Sequence, residues 1–126
     1  MSSVQGLPGT PAVGTAAISG TTDAQPQCPE CLSPFARRHP GQLFCTVAHR
    51  DAWNGRAAVR GRVLTPLAIV ARVTRNGTRG DRKTGARAAS EAATLIQQWR
   101  DDDRAAGRMS HPEYLARRYR VGFDPL

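Results

Sequence analysis

No run of apolar residues in this chain approaches the ~20 that a helix needs to cross a bilayer. No charged and apolar leader opens it either, so the sequence predicts a soluble protein of the cytoplasm. Cysteine is scarce. The three present make an odd count, which argues against a disulfide framework and fits a reducing compartment. Residues 1–27 hold no aromatic ring and a single charge, so burial cannot offset the entropy of ordering them and they read as a disordered tail. Within that tail, the Ala-rich stretch from Ala12 to Ile18 is too short and polar for the apolar part of a signal peptide. Catalytic groupings are missing as well: there is no Ser-His-Asp set and no carboxylate pair with an obvious pocket. The glycines of residues 75–87 do not have phosphate-loop spacing. The expectation is a protein without catalysis and without a small-molecule substrate.

What is present is concentrated between Cys28 and His49. Cys28-Pro-Glu-Cys31 is followed, after thirteen residues, by Cys45 and then His49 four positions later. That is the ligand set and spacing of a structural Cys3His zinc site, with Zn2+ as the cofactor. The first pair suits a tight knuckle; the second suits a helix start, because residues at i and i+4 share a face. His39 is the competing fourth ligand, at the tip of the intervening turn. Pro40-Gly41 can form that turn, Pro40 presetting φ and Gly41 accepting a positive φ. Phe35–Arg38 and Gln42–Cys45 then read as the two strands of a β-hairpin. Knuckle, hairpin and helix make a small α+β treble clef over residues 28–62, with Phe35, Leu43 and Phe44 as its apolar wall. A unit this small needs a metal to be stable, so zinc would supply folding free energy directly.

The rest of the chain reads as mostly helical. A helix from Cys45 continues to Arg60, weakened but not ended by Gly55. Thr65 and Pro66 look like the N-cap and N1 of a second helix over residues 63–76, stopping at Asn76-Gly77 and lying on the finger. Residues 77–85 form a basic flexible loop. A third helix runs from Ala86 to Ala106 within a helical region 86–126, with Ala92, Leu95, Ile96 and Trp99 at helical spacing. Asp101, Asp102 and Asp103 fan out around that helix and read as a solvated turn pairing with Arg104 and Arg108. Ser110-His-Pro-Glu113 is a capping box, with Met109 and Tyr114 as a hydrophobic staple, and opens a last short helix. Leu115, Tyr119, Val121 and Phe123 are expected to close that helix onto the one before.

Charge is uneven along the chain. The 18 Lys and Arg against 10 Asp and Glu give +8. Residues 28–87 hold twelve bases and three acids, whereas residues 88–126 hold six of each, so the excess belongs to the finger and the segment after it. A field confined in this way attracts polyanions, of which nucleic acid is the commonest. Arg37, Arg38, Arg50, Arg56, Arg60, Arg62, Arg79, Arg82 and Lys83 are the candidate contacts. Around the first helix the arginines do not line up in one stripe, which favours phosphate contacts over base reading.

Cys-Pro-x-Cys followed by Phe44-Cys45-x-x-x-His49-Arg50-x-Ala52-Trp53-Asn54-x-Arg56-x-Ala58-x-Arg60-Gly61 resembles treble-clef fingers of the MYM or FCS type. It is similar more closely to short bacterial and phage proteins with an FCS-like motif, in which the place of His49 is usually taken by Cys. The resemblance implies zinc binding and a contact with nucleic acid, DNA first, or with a protein partner, and no reaction. Treble clefs also build His-Asn-His nucleases. Those need a His base and a second metal beside the hairpin, and only His39 and His111 are left over here.

Overall fold

The computed structural model of the chain describes residues 25–122, so residues 1–24 of the tail expected over residues 1–27, and the packing expected of Phe123, lie outside the described residues. Three helices follow one another: α1 (Val47–Val73), α2 (Arg82–Ala105) and α3 (His111–Arg120). The first two form a long antiparallel pair. The cysteine-bearing segment before α1 and the short α3 after α2 meet at one end of it.

The treble clef does not form. Among the described residues there is no β-strand, only an isolated antiparallel bridge between Gln27 and Pro34 that brackets the knuckle. The turn at Pro40-Gly41 exists, closed by Gln42 N–H donating to the His39 carbonyl at 3.2 Å, but Gly41 does not take the positive φ expected of it. The hairpin fails because a side chain takes the place of the ladder. The Gln42 side-chain carbonyl accepts from Arg38 N–H at 2.7 Å, and its amide donates to the Phe44 carbonyl at 2.8 Å. The backbone groups a second strand would have paired are thus already satisfied locally.

The two helices expected on either side of Arg62 are a single helix. Pro66 lies inside α1, where it removes one i→i−4 hydrogen bond at a cost of about 3 kcal/mol. That local cost is outweighed by packing: Arg60, Leu64, Leu67, Ala71 and Thr74 recur every three or four residues and lie along α2 over its whole length, so breaking α1 would break the seam. Thr46 caps α1, its hydroxyl accepting from His49 N–H at 3.1 Å.

Residues 77–85, expected as a flexible loop, are built into the closed end of the helical pair. The Thr74 carbonyl accepts from Thr78 and Arg79 N–H, and its hydroxyl accepts from Gly77 N–H and donates to Val70. A Cβ on Gly85 would lie 2.1 Å from the Thr74 hydroxyl oxygen, and one on Gly77, whose φ is +90°, would lie 2.6 Å from the Ala86 nitrogen. Gly77 requires glycine because the backbone of Ala86 passes at that distance, and Gly85 because the Thr74 side chain fills the space of a Cβ. Asp81 then caps α2, which begins at Arg82.

At the other end sits the core, made of Cys28, Phe35, Phe44, Trp53, Met109 and Tyr114. Met109 and Tyr114 are buried as the staple predicts, with Ser110 capping α3 by accepting from Glu113 N–H at 3.4 Å. Leu115 and Tyr119 are exposed and do not close α3 onto α2. Instead α3 faces the knuckle: Met109 N–H donates to the Pro29 carbonyl at 2.9 Å, and the Arg117 guanidinium donates to the Gln27 carbonyl. The finger and the C-terminal helix therefore share one core. No described helix is long and apolar enough to cross a membrane.

Candidate metal centre

The knuckle is a tight turn with two hydrogen bonds, Leu32 N–H to the Cys28 carbonyl at 2.7 Å and Cys28 N–H to the Ser33 carbonyl at 2.9 Å. Leu32 closes it in the left-handed region at φ +63°, a conformation costing about 1–2 kcal/mol for a residue with a Cβ. The turn aims the thiols of Cys28 and Cys31 to the same side. Cys45 stands just before the Thr46 cap and His49 three residues after it, so the first turn of α1 presents its two ligand atoms on the facing side.

These four side chains converge. The sulfur, sulfur, sulfur and imidazole nitrogen atoms all lie within 4.8 Å of one another, the one such group among the described residues. Cys31 Sγ is 3.8 Å from Cys45 Sγ, and His49 Nδ1 is 3.8 Å from Cys28 Sγ and 3.1 Å from Cys45 Sγ. This arrangement can hold one metal ion. His39 is exposed at the turn and is not in the group.

The thiols oppose one another electrostatically. Burial raises the pKa of both Cys31 and Cys45. At Cys31 it is outweighed by hydrogen bonds from the backbone and hydroxyl of Ser33, then by Cys28 and Cys45, which bring it down to about 7. At Cys45 burial and the adjacent Cys28 and Cys31 act together, and the thiol is pushed up to about 11. A bound cation resolves that conflict, because a metal-coordinated thiol is deprotonated outright.

Two ion pairs, one half-buried and one on a buried carboxylate, hold the site to the helices. Arg56 on α1 donates to both carboxylate oxygens of Glu30 in the knuckle, at 3.0 and 2.7 Å. Arg60, one turn further, grips Asp103 on α2 at 2.9 and 3.0 Å and lies over the Trp99 ring. Asp103 is 4 % exposed and also accepts from Arg108 Nε at 3.0 Å, with His111 Nε2 at 3.6 Å. Burial alone would raise its pKa; the hydrogen bonds and charges of Arg60 and Arg108 outweigh that and hold the carboxyl below its ordinary range. So Asp103 is no part of a solvated turn, although its pairing with Arg108 is as expected. His111 stacks on Trp53, ring centroids 5.3 Å apart.

The candidate phosphate contacts separate accordingly. Arg56 and Arg60 are committed to the carboxylates of Glu30 and Asp103 and belong to the scaffold. Arg37, Arg38, Arg50, Arg62, Arg79, Arg82 and Lys83 are exposed, Arg50 beside Asp51. Arg37 and Arg38 lie at the metal end, and Arg79, Arg82 and Lys83 surround the far turn together with Arg72 and Arg75. Sequence reasoning missed Arg117 and Arg120, which the fold brings near Arg37. Burial, and then the like charges of Arg120 and Arg37, lower the pKa of Arg117 against the pull of Glu113. Only the alignment of basic residues on a short last helix, Arg117, Arg118 and Arg120, offered a sign of it.

No protein-family model, no curated protein and no solved structure matches this chain, so its likeness to MYM and FCS fingers rests on the motif residues alone.

Proposed function

We propose that this protein is a zinc-stabilised scaffold that binds nucleic acid through its phosphates, duplex DNA first. The zinc assignment is carried by one observation, the spacing of the ligand atoms. A tetrahedral ion with metal–sulfur bonds of ~2.3 Å has sulfur–sulfur edges of ~3.8 Å, and Cys31 and Cys45 stand 3.8 Å apart. Three thiolates and one imidazole are also the donor set that zinc favours over the harder cations. With four protein ligands the site is closed, as in structural rather than catalytic zinc centres.

The nucleic-acid reading follows from where the free cations lie. Apart from Arg62 at mid-helix, they gather at the two ends of α1, which at 1.5 Å per residue are about 40 Å apart for its 27 residues. That separation is close to one turn of B-form duplex, ~34–36 Å. Arginines there are exposed, scattered over loops and helix ends and not aligned along one helix, which suits backbone contacts. The test is the salt dependence of duplex binding. Each phosphate contact contributes about −0.9 to the slope of log K against log salt. Replacing Arg37 and Arg38, or Arg79 and Arg82, by Ala should flatten that slope by about one for every phosphate left without its arginine. Absence of duplex retention at low salt by the zinc-loaded chain overturns the reading.

A further inference from the structure

α1 carries two apolar seams, and α2 covers only one of them. The second consists of Val59, Val63, Pro66, Val70 and Val73, spaced four, three, four and three residues apart. That is the alternation of a heptad seam made for another helix. Most of it is uncovered: Val59 is 55 %, Val63 47 % and Val73 68 % exposed, while Val70 is half-buried at the edge next to α2. Pro66 and Val70 share a shallow groove of about 540 Å³ with Lys83, Arg87 and Glu91 of α2, which fixes which face of α2 lies beside the seam. Continuing along that face from Glu91 by four, three and four residues leads to Leu95, Gln98 and Asp102.

We infer that this face is the interface with a second copy of the chain, packed as an antiparallel four-helix bundle with α1 on α1 and α2 on α2. The pattern of the seam names the occupant. Val-Val-Pro-Val-Val has the same residue types from either end, so a two-fold axis at Pro66 sets Val59 against Val73 of the partner subunit and brings Val63 within one residue of facing the partner's Val70. Isologous packing requires that self-complementarity. The same axis sets the basic end of α2 against its acidic end, so that Arg87 meets Asp102 of the partner subunit. Size agrees as well: a face about 40 Å long and two helices, or about 20 Å, wide offers ~800 Å², the area each partner gives to a stable interface. The net charge of +8 opposes association. At physiological salt it is screened over ~8 Å, and Arg87, which lines the groove beside the seam, is ion-paired with Glu91. This inference stands apart from nucleic-acid binding and needs no nucleic acid.

Sedimentation equilibrium of the zinc-loaded full chain at micromolar concentration tests it. The wild type should sediment as a dimer, and Val63→Glu with Val70→Glu as a monomer of unchanged helix content, since neither side chain is buried in the monomer. Arg87→Glu should weaken the dimer about tenfold, one strong interfacial contact being worth ~1.4 kcal/mol, and Asp102→Arg added to it should restore the affinity. A wild type that stays monomeric throughout, or a doubly substituted seam that still dimerises, overturns the inference. So does an Arg87→Glu defect that Asp102→Arg leaves unrepaired, because the register then is wrong.

Discussion

The two ends of the α1–α2 pair are held shut by different physics, one by a cluster of metal ligands under aromatic rings, the other by backbones in contact with no large side chain between them. At the metal end, Trp53 packs on Tyr114 with ring centroids 4.7 Å apart and on Phe44 at 6.1 Å, beneath the Cys3His group. At the far end the buried residues are Ala71, Thr74, Gly85, Ala88 and Ala92. The large rings need an organiser, because residues 25–46 form no helix or strand of their own and stay in place only through the knuckle, its ion pair and α3. The small seam needs none. Its hydrogen bonds are local, and its stability comes from close approach, which dispersion rewards and any added atom penalises.

Four experiments probe that difference, beginning with the largest effect. Removing the metal with a chelator, or replacing Cys28 by Ser, should collapse the aromatic end alone: the near-ultraviolet signal of Trp53 disappears while much of the α1–α2 helicity survives. In zinc-finger peptides, structural zinc supplies about 10–16 kcal/mol of binding free energy. A cooperative melt that is unchanged after chelation would show that the two ends do not differ in this way.

Asp103→Asn comes next. It leaves Arg60 and Arg108 without their buried carboxylate and should cost about 3–5 kcal/mol at neutral pH. Because the folded pKa of Asp103 lies below its unfolded value, its contribution is complete above about pH 4 and is lost as the pH falls through the folded value. The gap between wild type and variant in urea melts should therefore narrow in acid; a gap constant down to pH 2 would remove the charge from the explanation. Gly85→Ala acts at the far end. The new methyl displaces Thr74 and should cost about 1–3 kcal/mol, with faster amide exchange at residues 74–81 and none at the metal end. Ser110→Ala is the mildest, about 1 kcal/mol from the missing cap, and it should loosen α3 from the knuckle before it affects the metal site.

Legibility in the sequence follows the range of the interaction. The grouping of Cys28, Cys31, Cys45 and His49 was readable because its geometry is set by spacing within a turn or within one helical step, and so was the Ser110 cap; the helix start was read at Cys45, two residues before Val47. The β-hairpin was misread because nothing in Phe35–Cys45 reveals that the Gln42 side chain takes the place of the ladder. Arg56 and Arg60 looked like surface charge. Their partners, Glu30 and Asp103, are 26 and 43 residues away, and no local rule couples them. The break expected at Pro66 was a sound local reading, overridden by a seam that exists only once α2 is in place.

By itself the sequence determined the Cys3His grouping, the approximate starts of the first and last helices, and a basic excess between residues 28 and 87. Only the tertiary structure decided which arginines stay free, that α1 is one helix, and that α3 completes the core around Trp53. Metal-ligand spacing and caps are satisfied within a few residues of chain, so composition and order suffice to specify them. A buried ion pair or a shared seam acquires its energy from the water it excludes, and that exclusion exists only when distant segments have already met.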